Sequence, residues 1–301
     1  MKKSHFLSIS IFAICLFLTT ISGVKNASAF QQPSAASTSF YVAPSWTTGD
    51  TALTAGAATA AGTSGNVILD FGRQQYDTSL GWGVWPQGTK YFISDAEVNT
   101  IVQNFIKGYN SQESASPINL TVATSNDDYW NQGDSKWATA GNDWGILVWS
   151  ITAPDNIMIT GGNDIETWTD GTFQTYGADT IAWCTAYNLV NNNTMLNFGE
   201  QCAAIEPTAW SQAQVYEVSW LLGDDYCMPE IYYDNTKPTQ ASEWADIYNY
   251  SKGGQYFLGT TSEHGYDNSI SWDVAWQDLQ YAILHSSYPN ANYVGPSATN
   301  F

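Results

Sequence analysis

The chain has 301 residues, with 28 acidic against nine basic side chains and a formal net charge of −19. A surface of that sign repels phosphate backbones, which excludes nucleic acid as an expected partner. None of His5, His264 and His285 stands at metal-ligand spacing from a cysteine, which excludes a structural zinc site.

The first residues, Met1-Lys2-Lys3, lead into an apolar run from Phe6 to Val24 and then Ala27-Ser28-Ala29. A basic start, an apolar centre and a small-residue cleavage site read as a secretory signal cut after Ala29. No later stretch approaches the roughly 20 apolar residues that span a bilayer. The expectation is a secreted, extracellular protein with no membrane association after signal cleavage. Loss of Lys2, Lys3 and Lys25 turns nine basic residues into six against 28 acidic ones, a net charge of about −22. Cys15 leaves with the signal, and Cys184, Cys202 and Cys227 remain. That odd number allows one internal disulfide, whose pairing the sequence leaves open.

Residues 30–66 are rich in Ser, Thr, Ala and Gly. Within them Phe40-Tyr-Val-Ala43 has the pattern of a short strand, and Asp50 to Gly62 that of a small-residue helix or a linker. From Val67 the pattern alternates. Strands are expected at Val67–Phe71, Leu120–Thr124, Ile157–Thr160, Thr194–Phe198, Met228–Tyr233 and Tyr256–Thr260. Helices are expected from Ser94, with a capping box, to Tyr109, and over Ser135–Ile151, Tyr176–Val190, Trp210–Leu222, Ala241–Tyr250 and Ile270–His285. Gly161-Gly162 reads as a break ending the third strand. Six strand–helix units suit right-handed parallel crossovers. With no Gly-x-Gly-x-x-Gly after the first strand, the expected α/β architecture is a TIM-like (β/α) barrel rather than a dinucleotide-binding sheet. Six strands fall short of eight, so the barrel is incomplete or borrows a strand from the N-terminal segment. The expected organisation is a signal over 1–29, the N-terminal segment over 30–66 and a barrel domain over 67–301, acting as a monomer.

Chemistry in such barrels collects at the C-terminal strand ends. There the sequence places Asp70 and Arg73, the only arginine, after the first strand. Asn126, Asp127 and Asp128 follow the second, and that oxygen cluster would also suit a structural calcium ion. Asp164 and Glu166 follow the third, Asn197 and Glu200 the fourth. Glu230, within the fifth strand, precedes Tyr232, and Glu263 follows the sixth. Asp164 and Glu166 are two residues apart, so an extended chain projects both to one side, roughly 6.6–6.8 Å apart. Beside Trp168, such a pair suits acid/base work, because apolar surroundings and a like charge hold a carboxyl protonated. The competing reading has Asp164 capping a helix and Glu166 in its first turn. Trp82 and Trp85, in the long loop after the first strand, are placed on the rim, where indoles stack on sugar rings.

With these motifs in place, the chain resembles secreted glycoside-hydrolase barrels, and in particular the lysozyme-type family 25 barrels and their bacterial relatives. Leu69-Asp-Phe-Gly72, Asn163-Asp-Ile-Glu166 and Pro229-Glu-Ile-Tyr232 carry the likeness. The resemblance implies a polysaccharide hydrolase in which Glu166 is the acid and Asp70 and Asp164 are its partners. Glu230 and Glu263 are further candidates for the second carboxylate. Arg73, Trp168, Asn197, Tyr232, Trp82 and Trp85 are expected to bind the glycan. No cofactor or metal is expected. A non-catalytic carbohydrate- or surface-binding barrel is the alternative.

Overall fold

The computed structural model describes residues 32–60, 65–113, 115–126, 134–167, 175–190, 195–199, 210–222, 225–232, 240–263 and 269–301. The expected signal, Cys202, Glu200, Asp127, Asp128 and Trp168 lie outside them. In chain order the elements are β1 (Ser37–Thr38), β2 (Phe40–Tyr41), α1 (Thr51–Ala60), β3 (Gly65–Asp77), β4 (Gly81–Trp85), β5 (Ile93–Ser94), α2 (Asp95–Asn110), β6 (Ile118–Ser125) and α3 (Asp134–Ser150). They continue with β7 (Ile157–Asp164), α4 (Gly177–Val190), β8 (Met195–Phe198), α5 (Gln212–Tyr216), β9 (Tyr226–Cys227), α6 (Gln240–Tyr250), β10 (Phe257–Ser262), α7 (Trp272–Leu284) and β11 (Val294–Asn300). A π-helical turn, Glu217–Leu221, extends α5. No helix among the described residues is long and apolar enough to cross a membrane.

The architecture is α/β with a central, mostly parallel sheet. Strands β3, β6, β7, β8, β9, β10 and β11 run side by side in that order, every pair parallel. The two outermost, β3 and β11, share no ladder with each other, so the sheet is not closed directly. Instead β1 pairs with β11, and β2, one residue later, pairs with β3. Ser39, between them, hydrogen-bonds both sides: its amide donates to Asn300 O and its hydroxyl accepts from the Ile68 amide. The expected borrowed strand is therefore residues 37–41. A further strand, β11, escapes the sequence reading because Val-Gly-Pro-Ser-Ala-Thr-Asn lacks apolar alternation and contains proline, which rarely sits inside a sheet.

Side-chain parity sorts the strands into two layers. Val67, Leu69, Leu120, Val122, Ile157, Ile159 and Met195 face the helices and form the main core with residues such as Phe105, Trp144 and Trp183. The alternate residues face one another across the sheet's concave side. At its N-terminal end this face is polar: Asn119 Nδ2 donates to Asn66 Oδ1, Asn66 Nδ2 to Ser297 Oγ, and Thr160 Oγ1 to Asn119 Oδ1. Above it lies an apolar cluster of Ile68, Ala123, Leu196, Phe198 and Met228, packed by Leu258 and Phe301.

Gly161-Gly162 does not break the third parallel strand, which continues to Asp164. A Cβ on Gly161 would lie 2.1 Å from the Tyr187 hydroxyl, and one on Gly162 2.4 Å from the Thr121 methyl. The glycines admit close packing on both faces instead of turning the chain. Cys184 and Cys227 are buried free thiols, so the expected disulfide does not join these two.

Helices α2 and α3 each bring a carboxyl to a surface pocket of about 270 Å³ lined by Asp95, Asn99 and Asp143. Burial, then the hydrogen bond and charge of Asp95, push Asp143 up to about 8, and burial raises Asp95 as well. From the ordinary value of 3.8 up to about 8 the folded chain holds a proton that the unfolded chain has released. Stability from this pair is therefore complete in acid and is lost as pH rises through that window. Asp143→Asn keeps a donor to Asp95 but removes the titration. In calorimetric scans at about pH 5 and about pH 9, its melting temperature should change less than that of the wild type and exceed it at the higher pH.

Candidate functional site

The same parity that lines the concave side brings acids to its C-terminal end. Asn66, Ile68 and Asp70 share a face on β3; Asn119, Thr121, Ala123 and Ser125 on β6; Thr160, Gly162 and Asp164 on β7. Met228 and Glu230 continue the series beyond β9, where Glu230 bridges to Thr261 of β10. On β3, on β6 and beyond β9 the chain thus passes from the apolar cluster to a polar or acidic residue within one further step, and on β7 Gly162 precedes Asp164.

Three carboxylates meet there. One oxygen each from Asp164, Glu166 and Glu230 lies within 4.8 Å of the others. Asp164 and Glu230 are buried and Glu166 is half-buried. A small cleft of about 50 Å³ opens beside them, lined by Asp70, Arg73, Gln87 and Ser125 together with Asp164 and Glu166. Like charges this close repel, and the cost falls when a proton is shared or a cation lies between them. The oxygens of this trio are also the donor set that a hard divalent cation prefers.

The backbone around the trio is tightly held. Asn126 clamps the segment after β7: its Oδ1 accepts from the Glu166 amide at 2.7 Å, and its Nδ2 donates to Glu166 O and to Thr180 Oγ1, each at 3.1 Å. The other two residues of the calcium cluster considered above, Asp127 and Asp128, lie outside the described residues. Gly72, at φ +73°, turns β3 outward after Asp70, whose Oδ1 accepts from the Gly72 amide at 2.8 Å. A Cβ at Gly72 would lie 2.6 Å from Trp85 O, so both the turn and the close approach require glycine. No helix begins at Asp164. The chain runs on, and α4 starts at Gly177.

Two phenols complete the floor. The buried phenol of Tyr232 lies beside Glu230, and that of Tyr41 on β2 lies beside Tyr232. Burial, then the charges of Glu230, Asp164 and Glu263, raise Tyr41 far above the ordinary phenol range. Burial, then Glu230, Tyr41 and Asp164, do the same for Tyr232. Both therefore stay protonated donors at any physiological pH. Glu263, half-buried just past β10, is itself raised by burial, and its charge reaches Tyr41.

Of the residues singled out from sequence, Asp70, Arg73, Asp164, Glu166, Glu230, Tyr232 and Glu263 gather at this end of the sheet. Asn197 does not. It shares the parity of Met195, faces the helices and donates to Val218 O. Trp82 is also elsewhere: it pairs with Tyr76 in the hairpin of β3 and β4, on the face that covers α3. Trp85 lies opposite Arg73 in that ladder but is not among the described residues lining the cleft. Tyr41, Gln87 and Ser125 were not singled out. Tyr41 was within reach, since Phe40–Ala43 reads as a strand and alternates with Ser37 and Ser39. Nothing in the sequence marks Gln87. A much larger cavity than the acid cleft, about 390 Å³, belongs to the hairpin and α3 rather than to the acids. The acid cleft is the candidate site because three carboxylates from the C-terminal end of the sheet converge beside it.

No family model matches the sequence, and no curated protein matches it. Among solved structures, an endo-β-1,4-mannanase of glycoside hydrolase family 26 from Cellulomonas fimi aligns at a TM-score of 0.44 and 13% identity, over 90% of this chain. An engineered protein aligns at 0.42 and 12%, over 91%. The chain spans 64% and 63% of the length of these two structures.

Replacing Glu230 with Gln keeps the size of the side chain while removing one negative charge from the trio. The melting temperature of Glu230→Gln at neutral pH should rise by roughly 3 °C, about 1 kcal/mol for a chain of this size. A fall of similar size would mean that attraction to a neighbouring protein group or a bound cation, and not mutual repulsion, governs the trio.

Proposed function

We propose that the protein is a secreted polysaccharide hydrolase built on a (β/α) barrel of the glycoside-hydrolase kind, with residues 37–41 completing the circuit between β11 and β3. The likeness of its motifs to lysozyme-type family 25 barrels belongs to the same reading. The observation that carries it is the convergence of the neighbouring Asp164 and Glu166 with Glu230, distant in the chain, within 4.8 Å at one end of the sheet.

In this reading Glu166, the most exposed of the three, protonates the leaving oxygen of the glycosidic bond. Glu230, buried beside Tyr232, is the second carboxylate. The oxygen spacing is closer to the roughly 5–5.5 Å of retaining enzymes than to the roughly 6.5–9.5 Å of inverting ones. Glu230 then attacks the anomeric carbon as the bond to the leaving oxygen breaks. Water, deprotonated by Glu166, later cleaves the glycosyl–enzyme ester and restores both groups. Asp164 and Asp70 stabilise positive charge on the sugar, and Arg73 orients a hydroxyl or carboxylate of the substrate. The narrowness of the acid cleft against the larger aromatic cavity favours a second reading, a glycan-binding barrel without turnover.

The deciding experiment measures release of reducing ends from a panel of bacterial and plant glycans. Glu166→Gln should lower turnover by at least about 100-fold, as expected for loss of a general acid. Equal activity in the variant, or no turnover of any glycan by the wild type, overturns the hydrolase and leaves the binding reading.

A further inference from the structure

The hairpin of β3 and β4 has two faces. Arg73 and Trp85 are cross-strand partners on one, and Arg73 lines the acid cleft. Gln74, Tyr76 and Trp82 are on the other, which covers the N-terminal half of α3. Between that face and the helix lies the cavity of about 390 Å³, within the roughly 300–1,000 Å³ of small-molecule sites.

Its walls are aromatic and come from two separately anchored elements. Tyr76 and Trp82 meet edge-to-face, 5.2 Å between centroids. Trp137 stands on α3. Buried Gln74 ties the elements together: its Nε2 donates to Ala140 O and its Oε1 accepts from Trp183 Nε1, both at 2.8 Å. The cavity is therefore held open before any ligand arrives, which lowers the ordering cost of binding. Lys136, exposed on the first turn of α3, adds a cation to the lining. In a chain of net charge −19 with nine basic residues, a lysine beside two indoles and a phenol is a distinctive combination.

From this juxtaposition of aromatic walls and a cation we infer that the cavity binds an acidic sugar ring, a uronic acid residue of a glycan. The flat C–H face of a pyranose stacks on indole, and a ring carboxylate is drawn to the ammonium. A cationic ligand would meet Lys136 at close range and is disfavoured. The site is independent of the hydrolase reading, because the hairpin separates it from the carboxylates.

The test follows tryptophan fluorescence while tetragalacturonate, or neutral cellotetraose of equal length, is titrated into the full chain. Binding of the acidic oligomer is expected, with the neutral one weaker. Lys136→Met, at an exposed position that leaves the fold intact, should weaken tetragalacturonate about fivefold and leave cellotetraose unchanged. Trp137→Ala should abolish binding of both, with folding checked by thermal unfolding, and Trp82→Phe should weaken it. Glu166→Gln should leave binding unaltered. No binding by the wild type, equal affinity for both oligomers, indifference to Lys136→Met, or loss of binding in Glu166→Gln each overturns the assignment.

Discussion

The described fold turns on the extended segment Ser37–Tyr41. Without it, β3 and β11 would each present an open row of backbone donors and acceptors, the condition that makes sheet edges prone to foreign pairing. Five residues serve both edges: β1 takes β11, β2 takes β3, and the Ser39 hydroxyl fills the step between them. The seam also places chemistry. Tyr41 lies beside Asp70 in the ladder, reaches Tyr232 and stacks at 4.5 Å on Phe301. One short strand thus joins the sheet's edges and supplies a wall of the acid site.

Above that seam the protein sets an electrostatic problem against a packing solution. Asp164, Glu166 and Glu230 repel one another, and burial sharpens the repulsion. They are kept together because each is the next inward-facing residue, or a close neighbour of it, on a strand already fixed by apolar packing. Ile68, Ala123, Leu196, Phe198 and Met228 form the plug beneath. Backbone hydrogen bonds and the Asn126 clamp then hold the segment that carries them, with neutral phenols packed alongside.

Much of this was legible in the sequence, and the reasons differ by element. Parallel strands such as Val67–Phe71 and Leu120–Thr124 are short runs dominated by apolar residues and announce themselves. The capping box at Ser94 marks the start of α2 to the residue. The acids at strand ends could be counted from spacing alone. What failed was whatever depends on the third dimension. Parity would have turned Asn197 away from the site, but only once the inward face of β8 was known. Trp82 went to the rim because a hairpin folding over α3 leaves no mark in a loop-like Gly-Trp-Gly-Val-Trp. Gly161-Gly162 reads as a break when the partners that demand it, Tyr187 and Thr121, are distant in sequence. Strand β11, with its glycine and proline, is held by neighbours rather than by its own propensity.

The seam also has a temporal side. Thr299 hydrogen-bonds to Ser37 across 262 positions, so the final circuit joins opposite ends of the polypeptide. Contacts that distant in sequence form slowly, because a long loop must close before they repay its entropy. A chain emerging N-terminus first therefore carries Ser37–Tyr41 unpaired on one side until Val294–Asn300 arrives. During that interval the seam stays unlatched, so the timing of rigidity is set by this late pairing rather than by local packing.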